Sequence, residues 1–222
     1  MRKLITAAFI SMDGVMQAPG GPSEDPVRGF AHGGWVVPYV DEAFGQEVDD
    51  LFGKPFDLLL GRKTYEIFAA HWPFAEGGQD DGIAKAFKTA TKYVASRKGV
   101  DLTWDGSVLL RDAAADVAKL KQEDGPPLVT QGSSDLIQTL LTHDLIDEIR
   151  TLIFPVVLGN GKRLFGANLP PLAFKLTHST TTPAGATIAR YVRDGDVKSG
   201  DFGMEPPNEL EQKRRARMQR EG

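Results

Sequence analysis

Two glycines stand where a short apolar run gives way to a polar, helix-favouring segment, and each junction could hold a phosphate. At the first, Gly61 follows the run FDLLL. The segment after it begins with Arg62, Lys63 and Thr64. The free backbone N–H groups and the positive dipole end of a helix beginning here would bind an anion, and an arginine could add a two-pronged contact. A tight turn carrying two solvated basic residues is the alternative.

The second junction has the same form. Gly132 follows the run LVTQ and precedes SSDLIQTLL. Its backbone N–H groups could hold a pyrophosphate at the start of a helix. Alternatively, Ser133 or Ser134 serves only as the helix N-cap. Neither junction matches the GxGxxG or P-loop patterns, so the usual nucleotide fingerprints do not apply.

A third basic segment, ASRK, follows another apolar run. Ser96, Arg97 and Lys98 would form a compact anion site there, and the 2′-phosphate of an adenosine ribose suits such a site. A basic surface loop is the alternative. Ligands in open α/β sheets bind outside the carboxyl ends of strands. Three weak anion sites at successive strand ends therefore support one another, because a dinucleotide phosphate spans several ends.

Two further side chains could act on a substrate. Asp13, in the segment SMDG just past the first strand, is the candidate catalytic polar group at the pocket mouth, and an Asx-type turn with Gly14 is the alternative. Trp35 could stack on a flat substrate or anchor the surrounding loop. The four histidines include no i, i+4 pair, so we expect no metal site.

Apolar runs alternate with helix-like segments along the chain, which predicts a mostly parallel sheet covered on both faces. Asp41 and Asp112 are predicted N-caps of helices reaching Phe52 and residue 123. A short helical turn is predicted over residues 84–87. The final two strands form a predicted hairpin through residues 183–185, which adds antiparallel strands at the edge. The Gly- and Pro-rich loop over residues 12–39 is predicted to line a pocket or to act as a lid, with surface decoration as the alternative. The predicted strands are 3–11, 56–60, 92–96, 107–110, 128–130, 147–155, 174–179 and 187–193.

Composition narrows the class of protein. The chain has 222 residues, 41% hydrophobic and 25% charged, which is ordinary for one globular domain. The absence of cysteine excludes disulfides and cysteine nucleophiles. A net charge of −4 argues against a dedicated nucleic-acid binder. No apolar stretch approaches the roughly 20 residues of a membrane helix. We expect a cytoplasmic protein that binds neither nucleic acid nor membrane.

The last part of the chain, residues 195–222, differs in character because apolar residues become rare. It is predicted to be a charged, flexible tail or a frayed helix. Its basic cluster could touch nucleic acid, but a solvated tail is the expected state. The cluster consists of Lys213, Arg214, Arg215 and Arg217.

The combination of LLLGRKTYEIF, YVASRK, VTQGSSDLIQTLL and DEIRTLIFPVVLGNGKRLF resembles the dihydrofolate reductase family. The most similar branch contains proteins like the reductase domain of the bifunctional riboflavin-biosynthesis deaminase/reductase, whose first strand and loop AFISMDGVM also matches. The resemblance covers residues 3–193. It implies a dihydrofolate-reductase-like three-layer αβα sandwich over residues 1–194, with a mostly parallel central sheet and antiparallel C-terminal edge strands.

The resemblance also implies that NADPH is the cofactor. The residues to which it assigns contacts are Ala7 for the nicotinamide carboxamide, Gly61, Arg62, Lys63 and Thr64 for dinucleotide phosphates, Gly132, Ser133 and Ser134 for the pyrophosphate, and Ser96 and Arg97 for the 2′-phosphate. The chain departs from dihydrofolate reductases in having Gln131 before Gly132 instead of a second glycine. The acid that handles the pterin is also unmatched, because Asp41 and Glu42 come later than expected.

We therefore expect an NADPH-dependent reductase that transfers a hydride to a small heterocycle, either pterin-like or riboflavin-precursor-like. A nucleotide-binding dimeric module without efficient turnover is the alternative. The branch often pairs subunits through its C-terminal strands. The apolar segment RTLIFPVVLG could build such an edge, so we expect a homodimer.

Overall fold

A single mixed sheet makes the middle layer of the molecule. The computed structural model describes residues 1–78, 81–203 and 206–221. The eight strands found there are β1 (Leu4–Ser11), β2 (Asp57–Gly61), β3 (Lys92–Ala95), β4 (Ser107–Leu110), β5 (Leu128–Gln131), β6 (Glu148–Phe154), β7 (Phe174–Thr181) and β8 (Thr187–Arg193). Their order across the sheet is β4-β3-β2-β5-β1-β6-β8-β7.

The neighbouring strands from β4 across to β6 all run parallel. β8 is antiparallel to β6, and β7 is antiparallel to β8. The turn between β7 and β8 includes Gly185 at φ +92°, a left-handed conformation that favours glycine. The predicted α/β class, with a mostly parallel sheet and an antiparallel C-terminal hairpin at its edge, is confirmed.

Helices cover both faces of the sheet. The helices are α1 (Glu42–Phe52), α2 (Arg62–Ala69), α3 (Asp81–Thr89), α4 (Ala113–Gln122) and α5 (Ser134–Thr142), with α6 (Glu209–Glu221) near the end of the chain. Strand β2 shows the layering directly, because its three leucines are fully buried. Leu58 and Leu60 pack into the core beneath α1, α2 and α3, whereas Leu59 packs into the core beneath α4 and α5. This alternation follows from the two-residue period of a strand.

The predicted helix caps are present. The Asp41 carboxylate accepts a hydrogen bond from the Phe44 backbone N–H at 2.9 Å, at the start of α1. It also accepts one from Ala184 N–H at 2.9 Å and so ties α1 to the C-terminal hairpin. Asp112 caps α4 through Ala115 N–H at 3.1 Å. Each cap satisfies a helix-end donor that would otherwise lack a partner.

Two predicted elements differ in extent or place. The short turn predicted over residues 84–87 is the longer helix α3, in which Ala84 and Phe87 are buried. Half of the segment RTLIFPVVLG, predicted to build a dimerising edge, lies in β6, which is paired with β1 on one side and β8 on the other. The residues of this half lie inside the sheet, and β7 forms the C-terminal edge instead.

Within the charged C-terminal segment, residues 209–221 form the helix α6, and the flexibility of this segment stays a prediction. No α6 residue is buried, and ion pairs along its own surface support it. Glu211 pairs with Arg214 at 2.7 Å and with Arg215 at 2.8 Å, spacings that stabilise isolated helices. The division of the chain at residue 194 stays a prediction. Among the helices of the described residues, none is long and apolar enough to cross a membrane.

Phe87 holds the aromatic layer beneath α1 and α2 together. Its fully buried ring lies 4.9 Å from the rings of both Phe52 and Trp72. We expect Phe87→Ala to lower the free energy of unfolding by about 3–5 kcal/mol, because it leaves a cavity. Phe87→Leu, which keeps most of the volume, should cost under about 1.5 kcal/mol. Urea unfolding followed by circular dichroism measures both, and equal losses would contradict this packing.

Candidate functional site

A cleft of about 1250 Å³ opens at the carboxyl ends of the parallel strands. Its lining includes Gly61, Ala95 and Gln131, which are the last residues of β2, β3 and β5. Arg111, the residue after β4, also lines it. Ligands of open α/β sheets bind at this place, so the cleft is the candidate site.

The two glycine junctions are joined directly by hydrogen bonds. Gly61 N–H donates to Ser133 Oγ at 2.9 Å. In return, Ser133 N–H donates to Thr64 Oγ1 at 3.0 Å. The first turns of α2 and α5 are therefore held side by side at the cleft, as a pair of helix N-termini that could share one dinucleotide.

The second junction has an unusual backbone. Gly132 has φ +70° and Ser133 has φ +58°, so consecutive residues are left-handed. A Cβ on Gly132 would lie 3.1 Å from Thr64 Cγ2, which leaves little room for a side chain. A left-handed non-glycine residue costs about 1–2 kcal/mol, and such strain tends to occur at functional sites. Gln131 belongs to β5, and Gly132 makes the tight turn without a second glycine.

Gly61 does not adopt the left-handed conformation that favours glycine. Its φ is −73° and its ψ is 154°, an extended conformation open to any residue. A Cβ there would meet the Ser133 side chain at 3.5 Å, which is ordinary contact.

Basic side chains gather at the end of the cleft formed by β2, β3 and β4. They are Arg62, Lys63, Arg97, Lys98 and Arg111, and all of them line the cleft. Residues of all three predicted anion sites therefore line one cleft. The Arg62 guanidinium also contacts Glu66 at 2.9 Å on the same helix, an exposed pair that is weak and exchangeable.

Arg111 is the site residue that the sequence analysis missed. Its guanidinium donates to the Arg97 backbone carbonyl at 3.3 Å, so it lies beside the predicted 2′-phosphate site. The segment SVLLRDAAA has the same order of strand, basic residue and helix as the first junction, and this signal could have revealed it. Ser96 lines the same region and donates its hydroxyl to Gly99 O at 2.8 Å. A hydroxyl can still accept a bond from a ligand donor.

The other end of the cleft is apolar. Phe44, Val48 and Phe52 recur every four residues on α1 and form one wall, as expected for one helix face. Phe9 on β1 joins them, with its ring 5.2 Å from that of Phe44. Ile67 and Phe68 on α2 and Trp72 in the turn after it add to the apolar lining.

The glycine-rich loop after β1 lines the cleft, as predicted, through residues 16–21, 24 and 25. Gln17 fastens it: its Oε1 accepts from Lys162 N–H at 3.0 Å and its Nε2 donates to Asp25 O at 2.9 Å. The Lys162 ammonium is also ion-paired with the Asp25 carboxylate. The Glu24 carboxylate accepts from Gly20 N–H at 2.7 Å, and burial raises the pKa of this carboxyl.

Asp13 does not fit its predicted catalytic role. Its carboxylate accepts from the Ser11 hydroxyl at 2.6 Å and from the N–H groups of Leu158 and Gly159 at 3.0 and 2.9 Å. These bonds hold the pKa of the Asp13 carboxyl far below its usual range, so it is ionised at neutral pH and has no proton to give. Asp13 lies outside the cleft lining and instead joins the loop after β1 to the segment after β6. The Val15 N–H bonds to Ser11 Oγ, so the predicted Asx-type turn is absent as well.

Trp35 is a core residue rather than a stacking platform. Its indole N–H donates to Gln17 O at 2.8 Å, and its ring meets Phe154 edge-on at 5.6 Å. It is buried and does not line the cleft. The alternative of a loop anchor therefore describes it. The acceptor of its indole N–H is a carbonyl 18 residues earlier in the same loop. The sequence alone does not show that the loop brings these two groups together.

The remaining predicted residues lie close to the junctions. Ala7 is buried in β1 opposite Gln131, level with the end of β5. Ser134 begins α5 and lines the cleft. Asp41 and Glu42 stand outside the lining, so neither replaces the unmatched pterin acid. Among the described residues, no group of three or more His, Asp or Glu side chains could hold a metal ion.

Comparison with known proteins agrees with this architecture. A family model described as the RibD C-terminal domain matches residues 2–188. The uncharacterized protein YyaP of Bacillus subtilis (strain 168) is 25% identical over 195 residues, covering 87% of this chain and 96% of YyaP.

Two solved structures are similar in fold. Acinetobacter baumannii RibD has a TM-score of 0.58 at 16% identity, over 87% of this chain and 58% of that one. Dihydrofolate reductase from Enterococcus faecalis, complexed with NADP(H) and RAB-propyl, has a TM-score of 0.56 at 13% identity, over 86% and 96%. The predicted dihydrofolate-reductase-like fold is confirmed.

The left-handed Ser133 can be tested by a matched pair of variants. Ser133→Ala and Ser133→Gly both remove the acceptor of Gly61 N–H, which should cost about 1–3 kcal/mol. Only glycine also relieves the left-handed backbone, so Ser133→Gly should be about 1 kcal/mol more stable than Ser133→Ala. Chemical unfolding measures the difference. A more stable alanine variant would contradict the left-handed conformation.

Proposed function

Because the chain belongs to the RibD C-terminal domain family, we propose that it is an NADPH-dependent reductase that transfers a hydride to a small heterocyclic substrate. The acceptor is pterin-like or riboflavin-precursor-like. The protein acts in the cytoplasm, and the absence of cysteine fits that reducing compartment. The similar dihydrofolate reductase of known structure is one that was complexed with NADP(H).

The observation that carries the proposal is the pair of junctions joined through Ser133, next to a basic cluster. Gly132, Ser133 and Ser134 would hold the pyrophosphate, where two helix N-termini meet. Arg97 and Arg111 would hold the 2′-phosphate, since guanidinium groups match phosphate geometry. A ligand that carries both kinds of phosphate is the one that uses this whole end of the cleft.

The remaining contacts position the reacting end. Gly61, Arg62, Lys63 and Thr64 would contact phosphates, and the Ala7 backbone would hold the nicotinamide carboxamide near the apolar end. When bound, NADPH supplies a hydride, and a proton from water completes the reduction. The chain's own task is to orient the two rings and exclude water. Phe9, Phe44 and Val48 supply the apolar surface that this task needs.

Calorimetric titration with NADPH and NADH tests the cofactor. We expect NADPH to bind more tightly, and Arg97→Ala and Arg111→Ala each to weaken NADPH binding about 10–100-fold, as loss of a charged hydrogen bond predicts. NADH binding should change little. Arg220→Ala, on the exposed surface of α6, is the matched control. No binding of either nucleotide would overturn the proposal, whereas binding without NADPH oxidation in a substrate screen would favour the alternative nucleotide-binding module.

We further propose that two chains pair through β7. This strand is the C-terminal one of the two edge strands in the described part of the chain, and edge strands offer backbone groups for pairing. Leu176 on β7 is 49% exposed. Light scattering after gel filtration should give twice the 24.2 kDa of the chain, and Leu176→Lys should shift the protein toward the monomer. Met218→Lys, at an exposed apolar residue of α6, is the control. A monomeric mass at micromolar concentration would overturn the pairing.

A further inference from the structure

The basic side chains and the part of the apolar end around Phe9 lie above different strands. The basic side chains follow β2, β3 and β4, for example Arg62, Arg97 and Arg111. The apolar end includes Phe9 on β1. In the sheet, β3 and β1 are separated by β2 and β5, which corresponds to about 14 Å at the usual strand spacing. A phosphate at one end therefore cannot share its contacts with a ring at the other.

The charges at the apolar end do not favour an anion. Lys162 lines that end, but its ammonium is ion-paired with Asp25. Glu24 adds a second carboxyl there. His71 lies at the rim, exposed, with its ring 5.0 Å from that of Trp72. The five residues outside the described ranges include no Lys, Arg or His. Among the described lining residues, this end thus offers a phosphate ester no unpaired Lys or Arg, and its two carboxyls would repel one.

The walls of the apolar end suit a flat ring. Phe9 on β1, Phe44 on α1, Phe68 on α2 and Trp72 in the turn after α2 all line it. Aromatic rings contact planar ligands well, and binding pockets of this kind use a few polar groups to fix orientation.

Glu24 is the polar group best placed to orient such a ring. It lines the cleft and is half-buried, and one of its oxygens accepts from Gly20 N–H at 2.7 Å. A carboxylate has about four acceptor positions, so it can also accept from a ligand. Burial raises its pKa, and a ligand N–H bonded to it would stabilise the ionised form.

We propose that the hydride acceptor is a flat, uncharged ring system without a phosphate ester, and that the Glu24 carboxylate accepts a hydrogen bond from its ring N–H group. This inference rests on the proposed function, because it assumes that the dinucleotide occupies the basic end. It restricts the substrate to heterocycles whose polar edge carries N–H donors. It also distinguishes this chain from reductases that bind a phosphate group of their substrate.

Riboflavin and riboflavin 5′-phosphate test the missing phosphate site, because they share one ring and differ in a single phosphate ester. Calorimetry is done with the full chain saturated with NADP⁺, which fills the basic end and prevents turnover. We expect riboflavin, or the smaller ring lumazine, to bind at least about tenfold more tightly than riboflavin 5′-phosphate. Tighter binding of the phosphate ester, or no binding of riboflavin and lumazine, would overturn the proposal.

A gain-of-charge variant sharpens this test. Val40 lines the cleft and is exposed, so Val40→Arg places a cation at the apolar end without opening the core. We expect it to raise the affinity for riboflavin 5′-phosphate about tenfold and to change that for riboflavin little. Equal effects on both ligands would show that the charge at this end does not select the ligand.

Glu24→Gln tests the orienting group. Glutamine keeps an oxygen for Gly20 N–H, so the loop should fold as before, but its NH₂ group would face the ring N–H. We expect ring affinity to fall about tenfold while NADPH affinity stays constant. Glu42→Gln, at an exposed carboxyl outside the lining, is the control. Unchanged ring binding in Glu24→Gln would remove Glu24 from the proposal. If the unsubstituted protein does not bind NADPH at all, that result would instead contradict the proposed function itself.

Discussion

The hydrogen bonds of Ser133 hold together the part of the molecule on which the candidate site depends. Its hydroxyl accepts from the end of β2 and its N–H donates to the first turn of α2. In sequence these groups are far apart, but in the sheet β2 and β5 are neighbours. Ser133 takes a left-handed backbone to make both bonds. The strain is tolerated because the neighbouring strands and helices constrain this residue.

A second constraint is the way the loop after β1 is fastened. Asp13 binds backbone N–H groups after β6, and Gln17 joins Asp25 to Lys162. Trp35 inserts its ring into the core beside Phe154. These contacts make a Gly- and Pro-rich segment into a fixed wall of the cleft. Glu24 is held in that wall by Gly20. Charged groups thus act in two ways here: some, such as Asp13, stabilise the loop, and others face the cleft.

The cleft separates charge from apolar surface along the sheet. Arg62, Arg97 and Arg111 follow strands on one side of β5, whereas the aromatic lining extends to Phe9 on β1. The aromatic layer around Phe87 supports the apolar wall from beneath, through Phe52, Phe68 and Trp72. This separation would let the proposed cofactor and the proposed uncharged ring occupy one continuous cleft without competing for the same contacts.

The sequence by itself determined the features that depend on neighbouring residues. The run FDLLL, the aspartate caps, the hairpin turn and the junctions at Gly61 and Gly132 all follow from local periodicity and backbone preference, and the family resemblance linked them to a reductase fold. Only the tertiary structure decided which polar groups face the cleft. The Asp13 carboxylate accepts a hydrogen bond from a backbone N–H 145 residues later in the chain. The Arg111 guanidinium donates to the Arg97 carbonyl because β3 and β4 are neighbours in the sheet. The apolar segment of β6 is internal because β8 covers its outer side. These outcomes depend on contacts between distant residues, whose geometry is absent from local sequence.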